Sequence, residues 1–160
     1  MLSIRPATLD DVPLLRTLVQ ELAAFERLSE YAVITENDLR RDGFGPQPKF
    51  RSLIAEWDGK PAGYACFFGF YSTFAGKPGL FLEDLFVRDA FRGKGIGKAL
   101  LAHIAKIARQ ENCVGLRWEV LDWNSAAIDF YRKVGGTFRE DWKTVMLEEE
   151  AFERLAEEAR

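Results

Sequence analysis

A chain of 160 residues, 48% of them hydrophobic and 29% charged, is long enough to bury a sizeable core and fits a single domain over 1–160. No uninterrupted apolar run is long enough to span a bilayer, and a net charge of −3 leaves no basic footprint for nucleic acid. The start, Met1-Leu2-Ser3-Ile4-Arg5-Pro6, has no basic segment leading into an apolar one, so a cytoplasmic protein without membrane or nucleic-acid partners is expected.

In chain order, residues 3–7 read as a first strand. Asp10, Asp11 and Pro13 then open a helix with Leu14, Leu15, Leu18, Val19 and Leu22 on one stripe. Thr35-Glu36-Asn37-Asp38 starts a second, short helix with an acid at its third position, and residues 43–48, rich in Gly and Pro, break it. Residues 50–57 and 62–71 read as strands joined by the hairpin signal Asp58-Gly59. The apolar run at 80–87 is a central strand. A helix at 97–109, a strand at 114–120, a helix at 125–134 stopped by Gly135-Gly136 and a strand at 137–146 follow. Residues 148–159 form an acidic amphipathic helix with Phe152 and Leu155 on one side, a solvated cap. Cys66 and Cys113 make no Cys-x-x-Cys pair, and the single histidine, His103, is a helix-flank residue, so neither disulfide, zinc nor any other metal is expected.

Between the central strand and the next helix lies Arg92-Gly93-Lys94-Gly95-Ile96-Gly97, with Lys98 following. Alternating glycines let backbone N–H groups approach an anion, and the helix N-terminus adds its partial positive charge. A Walker A loop fails because Ala99 follows Lys98 and Arg92 stands at its first glycine; a dinucleotide fingerprint fails because Lys98 occupies its third. What remains, Arg-x-x-Gly-x-Gly after a strand, resembles the acetyl-CoA pyrophosphate loop of the GNAT acyltransferase superfamily. The element order resembles that family from Ile4 to about Met146. Ile4-Arg5-Pro6-Ala7-Thr8, Asp42-Gly43-Phe44-Gly45, Leu82-Glu83-Asp84, Trp123-Asn124 and Phe130-Tyr131 are similar to its spermidine/spermine- and thialysine-acetylating branch.

The resemblance implies an α/β (α+β) GNAT fold: a mixed, mostly antiparallel central sheet flanked by helices and splayed at the acetyl-CoA strand. It also implies a bulge on that strand that lets main-chain groups of the Leu85-Phe86-Val87 stretch bind the pantetheine arm. Arg92, Gly93, Lys94, Gly95, Ile96, Gly97 and Lys98 would hold the pyrophosphate, Asn124 and Tyr131 would touch CoA, and acetyl-CoA would be the cosubstrate, with no metal. A homodimer is implied as well, and the aromatic run at residues 67–71 is too apolar for a lone exposed strand.

The chemistry can also be argued from the residues. An alkylamine has a pKa of roughly 10 and must lose a proton before it attacks a thioester. Glu83, flanked by apolar strand residues, is expected to be desolvated and to serve as the base. Asp84, next along the strand, shares its site only if a bulge intervenes, and the resemblance implies that it then adds a second negative charge. CoA leaves as a thiolate, and Tyr131, seven residues beyond Asn124 and on nearly the same helical stripe, is the candidate acid. By resemblance the amine pocket takes Phe25, Glu26, Glu83, Asp84, Arg117, Trp118 and Glu119. Phe25 replaces a family Tyr, and residues 72–77 lack the family's acid and Trp, which favours a short amine or an amino acid over a long polyamine. The expected activity is direct acetyl transfer from acetyl-CoA to a small primary amine. A protein or peptide acceptor, and a non-catalytic acyl-CoA-binding regulator, are the alternatives.

Overall fold

The computed structural model describes residues 1–159, and the chain divides into two compact units, Met1–Asn124 and Ser125–Arg160. In the first unit five strands form one open sheet in the order β1-β2-β3-β4-β5. These are β1 (Leu2–Pro6), β2 (Arg51–Trp57), β3 (Lys60–Ser72), β4 (Lys77–Val87) and β5 (Leu116–Trp118). The first four pair antiparallel and β5 joins β4 in parallel. Asp58 and Gly59 both have positive φ (50° and 74°), the two-residue turn whose twist matches its flanking strands, so the β2–β3 hairpin forms where the sequence predicts it.

Helix α1 (Val12–Phe25) follows a single 3-10 turn, and α2 (Glu36–Phe44) is capped as expected: Thr35 Oγ1 accepts the Asp38 N–H and the Asp38 carboxylate accepts the Thr35 N–H. Val12, Leu15, Leu18 and Leu22 of α1 and Leu39 of α2 bury one sheet face with Ile54, Tyr64 and Phe86. Helix α3 (Ile96–Gln110) packs on the sheet with Ile96, Leu100, Leu101, Ile104 and Ala108 buried, and Leu53, Ala65, Phe67, Leu80 and Leu82 line the alternate face. Each buried Val, Leu, Ile or Phe side chain among these contributes about 1.5–3 kcal/mol.

The strand at 114–120 is only Leu116–Trp118, because its ladder with β4 runs no further than the Leu82–Trp118 pair. In the second unit α4 (Ser125–Lys133) ends at Gly135, whose φ of 93° lets the N–H groups of Gly135 and Gly136 reach back to the carbonyls of Arg132 and Tyr131. The acidic helix α5 covers Glu149–Glu157. The strand expected at 137–146 is absent among the described residues, which carry the alternation but run there without regular secondary structure. Arg132 of α4 lies over the Phe138 ring, and Arg139 lies over the Trp142 ring. No helix among the described residues is long and apolar enough to cross a membrane.

Candidate active site

The site is built on an irregularity of β4. Phe67 pairs with Leu82 and Cys66 with Asp84, so Glu83 is an extra residue with no partner on β3. Leu82 therefore faces the α3 side, Asp84 faces the α1 side, and Glu83 is pushed out and exposed. The parallel ladder with β5 stops at Leu82, directly before the bulge.

Beyond that point no strand among the described residues pairs with β4 on the β5 side, while the ladder with β3 continues. The Arg88 N–H donates to Ala62 O (2.9 Å), and the bonded pairs alternate, so Phe86 bonds to Tyr64 while Leu85 and Val87 turn their main-chain groups to the open edge. Val87 O there accepts from Arg92 Nε (3.0 Å). Phe86 is not on this edge: its ring is buried in the α1–α2 core.

The glycine loop continues from this edge. Gly93 and Gly95 have φ of 75° and 76°, and a Cβ added to either would meet no atom within 4 Å. Glycine is required there by backbone conformation, and the space over the loop is open. Gly95 is the N-cap of α3 and has no side chain with which to cap, so the first-turn N–H groups of α3 are left for an anion. Ile96 is buried and offers only its main chain, while Lys98 is exposed on the first turn. Lys94 Nζ lies 5.0 Å from the Trp57 ring. Arg92 also pairs with Asp89 (2.7 Å) and lies over the Phe25 ring (4.5 Å). An open cradle of backbone donors beside an unpaired strand edge fits the diphosphate and amide-rich arm of acetyl-CoA.

Three carboxylates gather on the α1 side. Glu26 closes α1, Glu83 sits at the bulge and Asp84 lies beside it. The Glu26 carboxyl is raised by burial and then by the charge of Glu83. The Asp84 carboxyl is pushed up to about 6 by burial, Glu83 and Glu26, against the stabilising O–H that Tyr64 donates to Asp84 Oδ2 (2.9 Å). The desolvation expected at Glu83 thus falls on Asp84. The Tyr64 phenol is driven well upward by its own burial and by Asp84, so it remains a donor. Cys66, opposite Asp84, has its thiol pushed up to about 12 by burial and then by Asp84. No Arg or Lys ion-pairs with Glu26, Glu83 or Asp84 among the described residues, and no group of three or more His, Cys, Asp and Glu there could hold a metal ion. Such a cluster attracts a cation and can take up a proton.

Of the remaining expected residues, Phe25 packs against Trp123 (ring centroids 6.2 Å). Trp118 stands opposite Leu82 beside the bulge, and Glu119 follows β5. Arg117, paired with Phe81 across the β4–β5 ladder, lies 4.3 Å over the Phe70 ring. Asn124 donates its N–H to Leu121 O at the end of the first unit. Tyr131 is half-buried on α4 in the second, tilted against Phe130 at 5.3 Å. Sequence reasoning missed Tyr64, whose relation to Asp84 depends on strand register, and Trp123, noticed only as part of a resemblance.

The chain is similar to known acetyltransferases. The chain is 37% identical to a thialysine N-epsilon-acetyltransferase of Sus scrofa over 164 residues, covering 96% of each protein. It is 38% identical over 139 residues to the spermidine/spermine N(1)-acetyltransferase-like protein 1 of Homo sapiens, covering 82% of this chain and 20% of that protein. Among solved structures, an integron cassette protein from the mobile metagenome of V. cholerae superposes with a TM-score of 0.82 at 25% identity, covering 97% of both chains. The sequence pattern of the acetyltransferase (GNAT) family matches residues 15–136, and with an open five-stranded mixed sheet flanked by helices the chain belongs to the GNAT acetyltransferases.

Proposed function

We propose that this enzyme transfers acetyl from acetyl-CoA directly to the primary amine of a small molecule, a diamine, a polyamine or a thialysine-like amino acid, with residues 1–160 acting as one catalytic domain. The observation that carries the reading is the cluster of Glu26, Glu83 and Asp84, three carboxylates without a basic partner among the described residues, at the bulge where β4 loses β5. A thialysine-acetylating relative matching nearly the whole chain supports the same acceptor class.

Acetyl-CoA, when bound, supplies the thioester whose acetyl group moves. Gly93, Gly95 and the first turn of α3 hold its diphosphate through backbone N–H groups, with Lys94 and Lys98 adding charge, and the open edge at Leu85 and Val87 orients its arm. Glu26 and Asp84 attract the ammonium, and Glu83 takes its proton, directly or through water. The neutral nitrogen would form the new C–N bond as the C–S bond breaks, the Tyr131 hydroxyl would give its proton to the departing sulfur, and the second proton that the nitrogen sheds on becoming an amide would restore that hydroxyl through water. Cys66 is not a relay: a thiol raised to about 12 is almost wholly protonated near pH 7, which supports direct transfer.

A cytoplasmic homodimer that needs no metal belongs to the same reading, supported by the exposed Tyr71 and Phe74 at the β3–β4 turn. The test is acetyl-CoA turnover with diamines, polyamines, thialysine, lysine and peptides, alongside sedimentation. Small amines turned over well ahead of peptides by a dimer are expected; preference for a peptide would overturn the acceptor assignment.

A further inference from the structure

Beside the acidic cluster, side chains from three separate segments form a row. Arg92 Cζ lies 4.5 Å over the Phe25 ring, Phe25 packs on Trp123 at 6.2 Å, and Arg27 Cζ lies 4.9 Å over the Trp123 ring. The two arginines at its ends are differently occupied. Arg92 is committed to Val87 O and to Asp89. Arg27 has no carboxylate partner among the described residues, whereas Arg5, Arg88 and Arg92 are all ion-paired. Its neighbour Glu26 does not serve, since the groups that act on the Glu26 carboxyl are its burial and Glu83.

The backbone makes Arg27 more telling. Its φ of 61° is left-handed, and directly after the Glu26 C-cap it donates its N–H to Ala24 O while the Leu28 N–H reaches Ala23 O. Glycine or asparagine takes that position with the least strain. An arginine here carries a conformational cost and delivers its guanidinium to a tryptophan face. A guanidinium held over a ring still carries N–H groups with which to grip a planar anion.

We propose that Arg27 is a specificity-determining residue that takes the carboxylate of an amino-acid acceptor whose distal amine enters the Glu26–Glu83–Asp84 cluster. The favoured acceptor class is then the ω-amino acid, with a cation at one end and an anion at the other. This rests on the small-amine reading above and narrows it.

The test uses matched pairs differing only in the carboxylate: lysine against 1,5-diaminopentane, and ornithine against 1,4-diaminobutane. The ratio of kcat/KM for the amino acid to that for the diamine should fall about 10- to 100-fold in Arg27→Gln, chiefly through the amino-acid KM, and largely survive in Arg27→Lys. Arg27→Gly relieves the backbone and should give the same fall with Tm kept or raised, separating contact from fold. A ratio unchanged in Arg27→Gln and Arg27→Gly, with the diamines still turned over, overturns this inference alone. Absence of turnover with all four compounds overturns the small-amine reading itself.

Discussion

Asp11 and Asp84 are both carboxylates drawn into the first unit, and their surroundings push their protons in opposite directions. Asp11 is gripped by Arg5 through two hydrogen bonds (2.7 and 2.9 Å) and accepts the Thr8 N–H (2.7 Å), and its carboxyl is held down to about 2, the Arg5 bond outweighing burial. Asp84 has one tyrosine hydroxyl and two acidic neighbours, and its carboxyl rises to about 6. One charge is neutralised within the fold and serves it; the other is left for a ligand to neutralise. The difference marks where binding energy is held back for an incoming cation.

The contrast is sharpest in turnover. Glu83→Gln is expected to lower kcat/KM by about 10²–10⁴ near neutral pH and to recover in part at higher pH, where more amine is free. Tyr131→Phe should lower kcat over the same range with acetyl-CoA affinity kept, whereas Asp11→Asn should leave the turnover of folded enzyme intact. Steady-state thiol release with calorimetric CoA titration measures all three; an equal loss in Asp11→Asn would erase the distinction.

Stability should separate the two aspartates in sign. The Asp11 contribution is complete above about pH 4 and is lost as pH falls through about 2. For Asp84 the folded state holds its proton more tightly than the unfolded chain, so stability is complete below about pH 4 and is lost as pH rises through about 6. Urea unfolding at pH 7 should therefore find Asp11→Asn destabilised by about 2 kcal/mol and Asp84→Asn stabilised by up to about 3 kcal/mol, with Asp84→Asn poorer in catalysis. Matching signs would show that Asp84 is simply another structural acid.

The smallest effect belongs to Tyr64→Phe. It removes the O–H that favours ionised Asp84, so the Asp84 carboxyl should move further up and carry the acid limb of the kcat/KM profile with it, by about one pH unit or less. An acid limb that stays in place would separate Asp84 from the acceptor charge.

The sequence made some of this legible and hid the rest for physical reasons. The glycine loop, the Asp58-Gly59 turn and the Thr35 cap are local, because each is dictated by φ or by a hydrogen bond a few residues away. The bond from Tyr64 to Asp84 joins positions twenty residues apart and depends on a one-residue slip in register, to which periodicity is blind. Glu83 looked like a buried acid because its neighbours are apolar, yet the bulge ejects it and turns Asp84 inward. The run at 137–146 has the alternation of a strand yet takes no regular secondary structure, because alternation is one condition of a strand and does not by itself fix the backbone.

The bulge at Glu83 also carries a genetic meaning. Because Glu83 is the extra residue between two pairs that already face opposite sides, losing its codon would join Leu82 to Asp84 in an unbroken ladder and leave every other side chain on its present face. The core has no reason to object. What would go is the kink, and with it the divergence of β4 from β5 and the opening where the reaction is proposed to occur. A three-base deletion should therefore yield a well-folded, inert protein, so that at this one place the length of the gene, more than the identity of the amino acid, separates an enzyme from a plain sheet.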